Sequence, residues 1–416
     1  MLSDIAGFLQ ITPWPPVPGV PFWAALALVA GGLLGEAVRR LFALPRIVGY
    51  AAVGAALALA GLGANPLVGS ARLIVDLALA LLLFELGSRV HLRWLRANPA
   101  LLATSIVEAG LSFGAIYAAL RWFDQPVNVA LNCAALGTCA SGAVVARVAA
   151  DLKAAGQVTD RLVVLTSLNT LVAVLAHKLV LGWLHLDVEG DWARAVVQPL
   201  WAFGGSALLA ALLAAAVAWT AHRIDLRDES AALLLLGLIV LALMVAKLFT
   251  LSTLLVPLLA GVLLRNTTER PWVWPRQFGT AGGALVLMLF VIVGSAWSVS
   301  AVATGAAAAL VLLGARALAK TGAVLAFAPW SGLRLRQGLG LSLALLPMSG
   351  TALVLLAELQ ATQPALAALV APIVLSAIAF TEVLGPLAVQ WGLRIAGEQH
   401  PEPRRGSARR LGAATA

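Results

Sequence analysis

The chain has 416 residues, of which 61% are hydrophobic and 11% charged, with a formal net charge of +9 and a mean hydropathy of +0.95. Soluble domains carry about 25% charged residues, so a soluble globular protein is excluded. Spans of about 20 apolar residues joined by short connections leave room for roughly a dozen crossings and no large aqueous domain. The basic excess lies in short clusters between apolar runs, which argues against nucleic acid as a partner.

The first residues, MLSDIAGFLQITPWPPVPGV, lack the basic patch and small-residue cleavage site of a signal peptide. Residues 1–19 are therefore expected to form a short extracytoplasmic segment, and the first apolar run to remain as a span. Hydropathy read with Pro, Gly and charge punctuation predicts thirteen helices, at 20–38, 47–63, 69–88, 100–121, 128–150, 161–183, 197–220, 231–249, 252–265, 280–298, 301–328, 337–358 and 364–393. The run from Ala231 to Leu264 carries only Lys247 as a charge and is too long for one span, so it is divided at Thr250 to Thr253. The fold class is thus an all-α polytopic membrane protein, with its transmembrane domain over 20–396. A polar, basic tail follows over 397–416, expected to be flexible and to lie near anionic headgroups.

Thirteen alternating spans divide the basic residues unevenly. Arg39, Arg40 and Arg46, then Arg89, Arg93 and Arg96, then Arg147, Lys153 and Arg161 fall on one side. Arg223, Arg227, Arg265, Arg270, Arg276, Arg334, Arg336 and the five arginines from Arg394 onward follow, making 21 of the 28. The other side holds Arg72, Arg121 and Arg194, and Lys178, Lys247, Arg316 and Lys320 fall inside spans. By the positive-inside rule the crowded side is cytoplasmic, which puts the N-terminus outside and the C-terminus inside an inner (plasma) membrane. One missed span would scramble this division. Trp23, Trp122, Trp183, Trp219, Trp297 and Trp391 fall at predicted helix ends, as interfacial anchors do.

Two spans carry helix-weakening clusters at mid-length, GTCASGA (Gly137 to Ala143, with Ser141 and Gly142) and PMSGTA (Pro347 to Ala352, with Ser349, Gly350 and Thr351). Interrupted helices at corresponding places in two halves point to a transporter site. The two spans are seven apart and so run in opposite directions, as an inverted repeat requires. Small residues that merely let helices pack closely are the plainer explanation of each cluster taken alone.

Polar groups inside a membrane are costly unless partnered. Asn169 and Thr170 lie mid-way along the sixth span, Glu108 is the most deeply placed acid of the fourth, and Lys320 lies one turn after Arg316 in the eleventh. Two like charges at that spacing repel, so a carboxylate, a helix C-terminus or water is expected beside them. Asp76, Lys178 and Lys247 can each reach a nearby interface, and Glu85 can cap its helix end among arginines. Cys133 and Cys139 read as buried free thiols, with no metal-ligand spacing, no cofactor motif and no catalytic constellation.

In order along the chain, LPRIVGYAAVGAALALAGLG, LALALLLFELGSRVHLRWLR, ASGAVVARVAADL, LLAGVLLRN, MLFVIVGSAWS and TEVLGPLAVQWGLRIAGE resemble the monovalent cation:proton antiporter-2 family, relatives of Kef-type potassium/proton and bacterial sodium/proton antiporters. The resemblance implies inverted repeats with two crossed discontinuous helices, a core that moves like an elevator against a dimerisation domain, and a homodimer. It also implies a monovalent cation and a proton as substrates, and places Lys320 where many relatives carry a membrane lysine.

This chain departs from that pattern where proton-coupled relatives carry an Asp-Asp or Asn-Asp pair, because it reads Asn169-Thr170. A threonine hydroxyl can ligate a hard cation but has no proton to exchange near neutral pH. Thr351 also follows Gly350 where potassium-efflux relatives tend to carry Gly-Glu, and Arg89 stands where an acid is common.

The leading reading is a sodium or potassium:proton antiporter in which Glu108, or another acid, replaces the lost aspartate. An anion transporter using Lys320 and Arg316, or a non-transporting membrane partner, are the alternatives. A carboxylate within salt-bridge reach of Lys320 near the crossing favours proton coupling, and a basic, acid-free cavity favours an anion or no transport.

Overall fold

The computed structural model describes residues 19–399, apart from 63–66, 68, 190–191, 224–228, 268–275, 297 and 349. Helices account for nearly all of the described chain. They are α1 Val20–Phe42, α2 Arg46–Leu59, α3 Gly69–Gly87, the short α4 Leu92–Ala97, α5 Pro99–Trp122, α6 Val127–Gly137, α7 Gly142–Asp151 and α8 Gln157–Glu189. The second part of the chain forms α9 Trp192–Arg223, α10 Glu229–Leu248, α11 Leu255–Thr267, α12 Arg276–Gly294, α13 Val299–Phe327, α14 Leu335–Ala344, α15 Gly350–Thr362 and α16 Pro364–Ala396.

Each of the thirteen predicted segments overlaps a described helix, and the two with interior Gly, Ser and Pro clusters are each split in two, into α6 with α7 and α14 with α15. Among the described residues, seven stretches are long and apolar enough, on length and composition, to cross a membrane. The division of the long apolar run falls at Thr250, whose φ of 54° ends α10, and α11 begins five residues later at Leu255. Proline opens several helices where its missing N–H costs nothing, at Pro99 of α5 and Pro364 of α16.

Two bundles result. In one, α2 packs on α1 and α12, α3 on α11 and α12, and α9 and α10 on α11. In the other, α13 packs on α5 and α16, α14 and α15 on α16, and α6 on α5 and α8. Reciprocal glycines set the closest crossings: Gly54 and Gly294 between α2 and α12, Gly87 and Gly261 between α3 and α11, and Gly340 and Gly392 between α14 and α16 each face the other's helix backbone. In lipid, where no hydrophobic drive brings helices together, such backbone approach supplies the packing energy.

The bundles meet along α3. Leu86 lies against Gly142, the first residue of α7, and Leu79 against Gly350, the first residue of α15. The two leucines are seven residues apart and share one face of α3, so a single helix face abuts the starts of both half-helices. Beside that contact a cleft of about 260 Å³ opens between α3, α7 and α12, lined by Glu85, Arg147 and Leu82 among others. It lies toward the arginine-rich face.

Three expectations gain detail. Lys178 pairs with Glu358 of α15, and Lys247, its side chain about a third exposed, places Nζ 2.6 Å from Oδ2 of the buried Asp76. The tail does not begin as a free end, because Gly397 closes α16 in the left-handed conformation and Glu398 docks on α8. Residues 400–416 and Trp297 lie outside the described residues.

Candidate functional site

α6 ends at Gly137 because the following Thr138-Cys139-Ala140 leave the helix, and α7 restarts at Gly142 behind Ser141, whose hydroxyl accepts from Val144 N at 3.3 Å. α14 ends at Ala344 and, after Pro347 removes a helix donor, α15 restarts at Gly350. The breaks touch: Ser141 N donates to Pro347 O at 2.9 Å. Two C-terminal ends, with their unpaired carbonyls, and two N-terminal ends thus converge inside the bundle.

Arg316 of α13 satisfies the carbonyl ends. Its Nε donates to Gly137 O at 2.7 Å, and its terminal nitrogens donate to Cys139 O, Leu346 O, Leu345 O and Pro347 O. A guanidinium presents five N–H groups in one plane, and here it bonds carbonyls of both breaks at once. Its charge also offsets the negative ends of α6 and α14. The sequence pointed to a helix C-terminus as one means of tolerating this cation, and it is the one used.

Lys320, one turn further along α13, is fully buried and donates to Oε1 of Glu108 on α5, itself fully buried. Its second partner is Thr138 O of the first break, at 3.4 Å. Ser112, one turn along α5 from Glu108, donates to the same carboxylate oxygen at 3.2 Å. Glu108 Oε2 is buried with no hydrogen-bond partner. The predicted Glu108 and Lys320 are thus one buried pair held against the break.

Asn169 and Thr170 are buried on α8, which packs on α6 and α7. Thr170 Oγ1 donates back to Thr166 O at 2.9 Å, whereas both amide atoms of Asn169 lack a partner. A buried amide left unpaired costs about 1–3 kcal/mol and calls for an ion or water to complete it. Thr351 is buried near the start of α15 and faces the Cys139 thiol of the other break. Ser349 lies outside the described residues. Gly137 ends α6, Gly142 and Gly350 open α7 and α15, and Pro347 lies between α14 and α15.

Sequence reasoning missed the place of three residues. Arg316 was weighed as the neighbour of Lys320 and as an anion ligand, not as the side chain that binds both breaks. On α16, Thr381 donates to Met348 O in the second break and is followed by the buried Glu382. A Thr-Glu pair inside a 33-residue apolar helix was a signal in plain view.

The fold is similar to that of solved structures of the sodium proton antiporter MjNhaP1 from Methanocaldococcus jannaschii. One, determined at pH 8, superposes with a TM-score of 0.62 at 16% identity, covering 91% of this chain and 98% of that one. An electron-microscopy structure superposes with a TM-score of 0.71, at the same identity and coverage. Among curated proteins none matches. The family model described as "sodium/hydrogen exchanger, transmembrane" matches residues 24–394. That span contains both breaks, the Glu108–Lys320 pair and the Asn169-Thr170 pair, and the chain belongs to the sodium/hydrogen exchanger family.

Proposed function

We propose that the protein is a secondary active antiporter exchanging a monovalent cation, sodium or potassium, for a proton, with Glu108 and Lys320 in the coupling role. The Glu108–Lys320 pair at the break carries the reading. A carboxylate in a low-dielectric site cannot hold both an ammonium and an incoming metal cation at full charge, because the like charges repel strongly there. Lysine can shed its proton and sodium cannot, so cation entry at Glu108 expels a proton and reprotonation of Lys320 expels the cation. The titrating function that an aspartate at position 170 serves in the resembled family passes to this pair.

The buried Asn169 amide oxygen and the free Oε2 of Glu108 are the oxygen ligands on offer, and hard cations take oxygen ligands. Under the topology given by the arginine count, the cleft beside Glu85 and Arg147 opens to the cytoplasm. On the opposite side Arg72 of α3 donates to Ala357 O of α15 at 3.2 Å, tying the bundles together there. With that topology, and with the thirteen spans, inner membrane and elevator-type motion expected from the sequence and the resemblance, the open cleft and the Arg72 contact support an inward-facing state, N-terminus outside. A homodimer is the assembly the family resemblance implies.

An anion carrier finds less support, since Lys320 is opposed by Glu108 and Arg316 is engaged by break carbonyls of both half-helix pairs. Proteoliposomes holding a pH gradient and a pH-sensitive dye test the proposal. Sodium or potassium chloride should collapse the gradient, choline chloride should not, and Glu108→Gln should abolish the response. No response to either cation, or an unaltered Glu108→Gln, rejects it.

A further inference from the structure

On the arginine-rich face a second cleft, of about 810 Å³, lies apart from the helix breaks, between the loop after α3, α4, the end of α11 and the start of α8. Arg89, His91, Arg93 and Arg265 line one side, and Thr159 and Asp160 of α8 the other. The basic wall is built rather than incidental. Arg265 Nε donates to His91 Nε2 at 2.8 Å, and Asn266 receives Leu92 N at 2.8 Å while donating to Val90 O at 2.9 Å. These bonds staple the loop to α11.

Three guanidiniums therefore face one cavity whose only acidic lining residue, among the described residues, is Asp160. Arg89 Nη2 lies 2.5 Å from Glu85 Oε1, and Arg265 spends Nε and one terminal nitrogen on His91. Arg93 has no ionic partner among the described residues. Each guanidinium has five N–H donors, so most donors at this cleft are unspent. Converging like charges are relieved by a bound anion, and planar forks of this kind match phosphate oxygens two at a time.

We propose that this cleft binds a phosphate-bearing anion. Both sources of such a group reach this face: a lipid phosphodiester from the bilayer, since Trp94 in the lining suits headgroup depth, and a phosphate from the aqueous phase. The ligand bridges α11 and the α3–α4 loop on one side to α8 on the other. Its affinity therefore depends on how the two bundles stand, and by linkage its occupancy biases that arrangement.

The full chain in detergent, unfolded thermally, provides the test without any transport assay. One arm compares dioctanoyl phosphatidylglycerol with dioctanoyl phosphatidylcholine; the other compares Tris phosphate with Tris chloride at equal ionic strength, so that no transported cation varies. We expect saturable stabilisation by at least one phosphate anion. Arg93→Gln and Arg89→Gln, both at exposed positions, should raise its half-maximal concentration about tenfold, the scale of one charge-assisted hydrogen bond. Arg96→Gln, outside the lining, should leave it unchanged. A response confined to phosphatidylglycerol assigns the site to lipid, and one to Tris phosphate assigns it to a soluble anion. Stabilisation by neither probe, or an equal response in the Arg93 and Arg96 variants, overturns the proposal.

Discussion

Glu108 and Lys320 are separated by 212 positions in sequence and meet as an ion pair shielded completely from solvent. Removing one partner leaves the other charge buried alone, which costs about 3–5 kcal/mol, whereas removing both can be nearly neutral. Glu108→Gln and Lys320→Met are each expected to lower thermal stability substantially in detergent. The double variant should recover most of that stability yet carry no cation-dependent proton flux. Recovery of flux with stability would show the pair to be structural only.

Asn169 should behave in the opposite way. Its amide makes no hydrogen bond in the described structure, so Asn169→Leu, similar in size, removes a desolvation cost and leaves stability unchanged or raised. A cation that loses this oxygen is held less tightly, and the cation concentration for half-maximal flux is expected to rise about tenfold, the scale of one lost polar contact. Thr170→Val tests the neighbouring position. Its hydroxyl bonds only to the Thr166 carbonyl of its own helix, so little stability should be lost.

Arg316 supports both breaks, and shortening it leaves several carbonyls without donors. At about 1–3 kcal/mol for each buried group left unpaired, Arg316→Ala should unfold well below the wild type. Arg316→Lys recovers the charge but not the planar fork, and should regain only part of the loss. Thermal melts of the three proteins decide between these outcomes. Equal melting temperatures for Lys and Arg at this position would mean that charge alone holds the crossing.

Much of this arrangement is legible in the sequence. Gly137 to Ala143 and Pro347 to Ala352 announce breaks because glycine, serine and proline weaken helices by local chemistry. Arginine placement gives an expected topology because positively charged loops resist translocation. The partner of Lys320 is different in kind: which of several buried acids it meets depends on how α5 and α13 are rotated about their axes, and in helices apolar on nearly every face hydropathy does not encode that rotation. Asp76 with Lys247 and Lys178 with Glu358 escaped for the same reason. Glu398 escaped because three residues at the head of a polar tail look like any solvated end.

Glu398 yields the prediction that separates a docked segment from a free one. Its carboxylate accepts from Val158 N and Thr159 N at 2.7 Å each and from Thr159 Oγ1 at 2.8 Å, so it caps the first turn of the helix that carries Asn169. A cap of this sort contributes about 0.5–2 kcal/mol, with a further share from negative charge at the positive end of the helix. Glu398→Ala should lower the melting temperature modestly and speed amide exchange at the first turn of α8, while exchange around the breaks stays as it was. Glu398→Gln keeps an acceptor but not the charge, and should fall between. If exchange at Val158 and Thr159 is unaltered in the alanine variant, the segment after α16 does not hold α8.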